Sequence, residues 1–226
     1  MRIGLDAREL QGRATGVGRY LRGLLGEWPD AGDRFIAYFN GPASGLLPEG
    51  LAADARPLGG RPARGAVWQE WRLPAAARED RLDVFFAPAY ACPLRLDVPR
   101  VTTIHDLSFF AVPHDFAPLD AWRRRALVRA SARVSRRVLA DSEFTRREIA
   151  SWLPDVAERV TVVPLGCDPP AAGVSRAEAR ARLGAQGPFL LSVGSVFNRR
   201  CLPELVRAAA LLARRHERLV LDVVGD

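Results

Sequence analysis

Three short stretches hold residues whose types and spacing suit chemistry on an anionic ligand. The first is Thr15-Gly16-Val17-Gly18-Arg19-Tyr20. Glycines between a strand and a helix let backbone N–H groups approach a phosphate, and the helix start favours the negative charge. A dinucleotide fingerprint would need a third glycine where the chain has Leu21, and the second strand ends at Asn40 without an acid for a ribose, so NAD binding is disfavoured. The plainer reading of Gly16 and Gly18 is a tight turn. The second stretch is Thr103-Ile104-His105-Asp106. It would deliver His105 and Asp106 to the carboxyl end of a buried strand, where open α/β sheets bind ligands. The bland alternatives are a satisfied structural histidine and an Asp106 that caps the following turn. The third stretch runs Val193-Gly194-Ser195-Val196-Phe197-Asn198-Arg199-Arg200. Ser195, Arg199 and Arg200 would lie in a second strand-to-helix turn, and guanidinium forks there suit a diphosphate, a solvated arginine pair being the alternative. His114 and His216 have weaker cases, one in a Pro-rich loop and one at an Arg-rich helix end.

Other chemistries are narrowed by what is missing. The chain has no Asp-x-Asp, no Walker A sequence, no G-x-S-x-G and no zinc-ligand spacing. Cys92, Cys167 and Cys201 are too few and too scattered for a disulfide framework or a C-x-x-C clip. The formal charge is +7, and all 33 basic residues are arginine. The excess is concentrated: Arg123, Arg124, Arg125, Arg129, Arg133, Arg136 and Arg137 face Asp120 alone between Leu119 and Arg137. Such a helix could sit on anionic lipid, with a solvated face as the ordinary reading. Trp122 is the one aromatic among these arginines, so nucleic-acid binding is not expected. No apolar run reaches the ~18–20 residues of a membrane span, and the N-terminus lacks a signal-like apolar region. A cytoplasmic protein is expected.

Positioning these residues requires a parallel sheet. Apolar and β-branched runs predict strands at Arg2–Ala7, Arg34–Phe39, Asp83–Ala87, Arg100–His105, Arg137–Ala140 and Arg159–Val163, alternating with helices at Gly18–Trp28, Ala66–Arg78, Leu119–Arg136 and Ser142–Trp152. Runs such as Val84-Phe85-Phe86 suit strands covered on both faces. At most one short strand is expected in Gly41–Gly65, near Ala53–Leu58. A Pro- and Gly-rich segment around residues 164–173 then leads to a Ser175/Glu178 capping box, a short helix ended by Gly184, and one βαβ unit: Phe189–Val193, Leu202–Arg215 and Leu219–Val224. A βαβ of ~40 residues is small for an independent domain. The expectation is therefore an α/β chain with a first Rossmann-like domain at 1–168, a linker with a short helix at 169–187, and the start of a second, incomplete Rossmann-like domain at 188–226.

In this order and spacing the fragments resemble the retaining glycosyltransferases of family four, which have the GT-B fold. The resemblance rests on Arg2–Arg8, Thr15–Tyr20, Asp83–Pro88, Thr103–Leu107, Ala140–Arg146, Val160–Asp168 and Ser192–Leu202. It implies a first domain facing the acceptor and a second binding a nucleotide-activated sugar. Gly16 matches a glycine lying against the donor phosphates and His105 a histidine beside the transferred sugar. Arg199 and Arg200 match a basic pair, usually Arg-Lys, that neutralises the departing diphosphate. Cys201 stands where the family often has asparagine. The implied reaction is a front-face hexosyl transfer in which cationic groups substitute for a metal, so no cofactor or metal is expected. The resemblance suggests GDP-mannose as donor, a saccharide or lipid-linked acceptor, a role in polysaccharide synthesis, and peripheral contact with the inner face of the membrane through Leu119–Arg137. The family's paired glutamates, eight positions apart, would fall beyond Asp226, so little turnover is expected from these residues alone. The competing reading is a non-catalytic basic module that docks on membranes.

Overall fold

The computed structural model describes residues 1–12, 15–28, 31–59, 65–167, 173–184, 187–194 and 200–225. The chain divides into two compact units, Met1–Gly166 and Cys167–Asp226. The first is built on seven strands: β1 (Arg2–Asp6), β2 (Arg34–Phe39), β3 (Ala53–Pro57), β4 (Val84–Ala87), β5 (Arg100–Ile104), β6 (Arg137–Ala140) and β7 (Val160–Val162). They form one sheet in the order β3-β2-β1-β4-β5-β6-β7, with every pairing parallel. The chain grows outward from β1 in one direction and from β4 in the other, so the order reverses between β1 and β4. In Rossmann-like sheets a ligand crevice opens at that point, beyond the carboxyl ends of the strands.

Both faces of the sheet are covered at its centre, as the apolar runs of β2 and β4 require. Tyr38 and Phe39 are consecutive and so point to opposite faces, yet both are 0% exposed. Tyr38 packs with Trp68, Leu73 and Phe85 on one side, and Phe39 with Leu5, Leu21 and Phe35 on the other. The second of these layers is closed by α1 (Gly16–Gly26), whose Leu21 and Leu25 stand one turn apart and are buried. Helix α1 begins two residues before the expected Gly18 because the Thr15 hydroxyl caps it, accepting from the Gly18 N–H at 2.9 Å.

The helix expected over Ala66–Arg78 is two pieces. A π-helical turn, Trp68–Arg72, runs into α2 (Leu73–Glu79). A four-residue helix, α3 (Ser108–Ala111), follows β5 and has no counterpart in the periodicity; it buries Phe109 and Phe110. Next come α4 (Pro118–Val134) and α5 (Glu143–Trp152), the latter capped by Ser142 as its sequence predicts.

The arginines of α4 do not make one exposed basic face. Arg125, Arg129 and Arg133 recur every four residues and so share a side of the helix. Arg125 donates to the Phe109 carbonyl at 2.7 Å and, like Arg129, lies over the Phe110 ring; Arg133 pairs with Asp155 at 2.7 Å. Three of the seven charges are thereby tied to the protein itself, which removes much of the physical basis for the membrane-docking alternative. No helix among the described residues is long and apolar enough to cross a membrane.

The second unit contains α6 (Arg176–Arg182), β8 (Phe189–Val193), α7 (Leu202–Ala213) and β9 (Val220–Val224), with β8 and β9 parallel. Ser175 caps α6 through the Glu178 N–H at 3.1 Å, while the Glu178 carboxylate pairs forward with Arg182 at 2.6 Å.

Candidate functional site

The carboxyl ends of β4, β5 and β6 converge on one side chain. Ile104 pairs with Ala140 in the sheet, so the residues that follow them, His105 and Asp141, leave adjacent strands side by side. His105 Nδ1 is 2.7 Å from an Asp141 carboxylate oxygen, and Nε2 is 2.7 Å from the carbonyl oxygen of Pro88, just beyond β4. Both partners are acceptors, so the two bonds exist together when each ring nitrogen carries a hydrogen. The ring cannot turn without losing one of them. Thr145 Oγ1 also donates to the His105 carbonyl at 3.2 Å, tying the start of α5 to the same residue. The second Asp141 oxygen is buried with no hydrogen-bond partner among the described residues.

Two tyrosines complete the setting. Tyr20 meets His105 edge to face, with ring centroids 5.0 Å apart, and its hydroxyl lies 3.2 Å from Thr103 Oγ1. Burial pushes the Tyr20 phenol above its ordinary value; the Thr103 bond works against this and the Asp141 charge adds to it. Tyr90 lies edge-on at 6.0 Å and donates to Asp106 at 3.3 Å. Tyr20 stands one turn after Gly16 on α1, on the same helix face. That turn links the first two stretches singled out in the sequence: the helix start at Gly16 and the histidine after β5.

The two glycines of the first stretch differ. The space beside Gly16 is open, and the N–H groups of Gly16 and Val17 have no acceptor among the described residues. They are available to an anion. Gly18 is not such a contact: its N–H is committed to Thr15, and a Cβ on it would overlap the backbone carbonyl of Glu9. The sequence-based assignment of Gly18 to a phosphate is therefore corrected to a packing and capping role. Asp106 takes the turn-capping position. One carboxylate oxygen accepts from the Ser108 N–H at 3.1 Å and its hydroxyl at 2.8 Å, so Asp106 holds the turn into α3. The partner of His105 is Asp141, which the sequence reading passed over although it follows its strand as His105 follows β5.

At the point between β1 and β4 lies a cavity of about 320 Å³, lined among others by Asp6, Arg8, Glu9, Pro88 and Tyr90. Pro88 and Tyr90 are contacts of His105, which places the ring one residue behind this wall. Arg8 pairs with Asp6 at 2.6 Å, donates to Gln69 at 3.0 Å and stacks over Trp68 at 4.5 Å. Burial opposes the charge on Arg8, but the Asp6 carboxylate more than offsets it and holds the guanidinium protonated.

In the second unit, Ser195 and Arg199 lie outside the described residues. Arg200 Nη1 donates to the Val193 carbonyl at 3.3 Å, and its guanidinium occupies the space beside Gly194, where a side chain would overlap it. Cys201 adopts φ 52°, ψ 37° immediately before α7. That left-handed conformation is one Asn enters far more readily than Cys. Among the described residues no three His, Cys, Asp or Glu side chains are grouped to hold a metal ion.

The reversed strand order, the parallel sheet and the second βαβ unit define an α/β chain of the GT-B type. Residues 14–170 match the model of Glycosyltransferase Family 4, and the chain belongs to that family. Similar solved structures include Anabaena Alr3699/HepE in complex with UDP and glucose, at TM-score 0.68 and 17% identity over 100% of this chain and 60% of that one. The same protein in complex with UDP-glucose gives 0.60 and 14%, over 99% and 68%. A co-structure of S. aureus MnaA with UDP gives 0.53 and 10%, over 99% and 61%. The chain thus spans 60% of the length of the HepE chain in the first of these. No curated protein matches it.

Proposed function

We propose that this protein is a retaining glycosyltransferase that moves a hexose from a nucleotide sugar to a saccharide or lipid-linked acceptor. The observation that carries the reading is the clasp on His105. Three strand ends and two tyrosines fix one imidazole beside a cavity at the sheet's reversal point, one turn from a helix start with free N–H groups. Fixed polar groups of this kind stabilise developing charge without reorganising during reaction. Held between Asp141 and the Pro88 carbonyl, His105 acts by position, as a fixed wall beside the transferred sugar, and not as a base that removes the acceptor proton. Asp141 is the residue that keeps it there.

Gly16, with Val17, is assigned to the donor phosphates through its N–H groups and the positive end of α1. Arg199 and Arg200 of the second unit are assigned to the departing diphosphate, a task that guanidinium groups perform without a metal. Two structural neighbours hold uridine nucleotides, which sets UDP-sugars beside GDP-mannose as donors to test. Calorimetry of the full-length protein with UDP-glucose and GDP-mannose decides between them, and binding of neither overturns the reading. Arg200→Ala should weaken the bound nucleotide sugar about tenfold. His105→Ala and Asp141→Asn should both lower kcat, by about a hundredfold for the first and less for the second, with KM for the donor little changed. The anomeric configuration of the product, read by NMR, tests retention.

A further inference from the structure

Hydrogen bonds run across the carboxyl ends of β1, β4, β5 and β6, and one amide joins their two halves. On one side, the Arg8 guanidinium grips the Asp6 carboxylate with two nitrogens, Nε at 2.9 Å and Nη2 at 2.6 Å. On the other, the Pro88 carbonyl and Asp141 hold His105 between them, each at 2.7 Å. Gln69 lies between the halves. Its Oε1 accepts from Arg8 Nη2 at 3.0 Å, and its Nε2 donates to the Cys92 carbonyl at 3.4 Å. Cys92 ends the short segment that begins at Pro88 and lines the cavity with Ala89, Tyr90 and Ala91.

The roles within this amide are fixed by chemistry. A guanidinium only donates and a peptide carbonyl only accepts, so Gln69 cannot flip without losing both bonds. The second hydrogen of Nε2 goes to Glu70 Oε1 at 3.1 Å. Both side-chain donors of a buried residue are thus engaged, and a satisfied polar network of this kind is rigid. Cys92 is held from its other side too, its N–H donating to the Ser131 hydroxyl at 3.1 Å. The segment that carries Pro88 is therefore tied to β4 at its start and to Gln69 and Ser131 at its end.

Local structure aims this side chain. Trp68 and Gln69 are consecutive and both buried, Trp68 in the core beneath Arg8 and Gln69 at the cavity. They open the π-helical turn Trp68–Arg72, and turns of this kind recur at functional sites. Gln69 bridges the segments that follow β1 and β4, the two strands at which the order reverses. We propose that Gln69 is a positioning residue for the transfer: by drawing the Cys92 carbonyl toward Arg8 it sets the Pro88 carbonyl, and through it the plane of the His105 ring. It acts through Pro88 and His105 and not on the reacting atoms. The inference rests on the glycosyltransferase reading for its catalytic consequence, and the geometry it asserts is measurable without any substrate.

The experiment is NMR of the full-length protein with isotope-labelled histidine, followed by kinetics with UDP-glucose and GDP-mannose. His105→Asn identifies the His105 ring signals. In the wild type the Nε2 proton should be visible and slow to exchange, guarded by the Pro88 carbonyl; rapid exchange there overturns the proposal. Gln69→Met fills a similar space without hydrogen bonds, while Gln69→Glu keeps the acceptor for Arg8 and gives up both donors. Each should speed exchange of the Nε2 proton about tenfold, with the Nδ1 proton, held by Asp141, changed less than about twofold. In both variants kcat should fall about tenfold with KM for the donor unchanged. Ser131→Ala frees Cys92 from its other side and should shift the same proton, so it decides the matter if the Gln69 variants do not fold. Both ring protons loosening together refutes a positioning role in favour of general destabilisation. Neither changing refutes it outright, as does a faster Nε2 proton with unaltered kcat. An effect in Gln69→Met alone gives the role to Arg8 instead. Absence of donor binding in the wild type sinks the glycosyltransferase reading and the transfer role with it, while the exchange result still decides whether Gln69 sets the ring.

Discussion

The start of α1 and the start of α7 read alike in sequence and are held in different ways. Before α1, the Thr15 hydroxyl accepts from the Gly18 N–H at 2.9 Å and donates to Glu9 at 3.0 Å, while Gly18 lets the Glu9 carbonyl come close. Before α7 there is no side-chain cap. Cys201 sits in the left-handed region, and a long side chain, Arg200, reaches back to the Val193 carbonyl. A glycine-rich turn and an arginine turn can both meet a phosphate, but the first would do so with backbone N–H groups already aligned by the helix. The second would do so with a guanidinium that already donates to its own strand.

The sharpest way to break this contrast is Gly18→Ala. The added carbon overlaps a backbone atom that cannot swing aside, so a loss of about 3 kcal/mol is expected in urea unfolding. A loss under about 0.5 kcal/mol would mean that α1 slides freely against residues 8–10. Thr15→Ala should cost about 1 kcal/mol, and Thr15→Ser should restore most of it, because only the hydroxyl caps. At the other helix start the sign reverses: Cys201→Asn should stabilise the protein by about 0.5–1 kcal/mol by relieving the left-handed backbone. Smallest is an effect of pH near the thiol range. Burial pushes the Cys92 thiol up, hydrogen bonds from Thr102 and Ser135 opposing, whereas the unfolded chain releases that proton near pH ~8.5. The native state therefore binds more protons there, and stability falls as pH rises. A urea midpoint lower at pH 9.5 than at pH 8, with the difference reduced in Cys92→Ala, checks it. In the same buffers Cys167 and Cys201, both exposed, should react with a thiol reagent in the native protein, and Cys92 only on unfolding.

The legible part of the fold was the part written in local patterning. Arg34–Phe39, Arg137–Ala140 and Phe189–Val193 are strands over the residues their apolar runs predict. Ser142 and Ser175 cap helices because a hydroxyl three residues before an N–H needs no tertiary help. Non-local bonds were not legible. His105 was visible as a residue type at a strand end, but Asp141 became its partner only through the β5–β6 register. The charge of α4 was plain to count. That Arg125 and Arg129 are spent on Phe109 and Phe110 depends on α3, four residues too short to show a period. Likewise β8 and β9 are apolar except for Ser192 and Asp222, as covered strands are, yet Leu191, Val193, Val223 and Val224 are exposed among the described residues. Patterning announces a strand without saying what shields it.

The wide turn at Trp68–Arg72 carries a consequence for descent. A π-helical turn holds one residue more than the α-helical turn it interrupts. Loss of a single codon there would restore regular winding, re-aiming the side chains of the turn itself while the helix before and after it keeps its register. Trp71 and Gln69 would be re-aimed while the seven strands kept their places. A lineage could in this way reshape the wall that Gln69 gives to the cavity at the strand reversal by the smallest in-frame edit that replication makes.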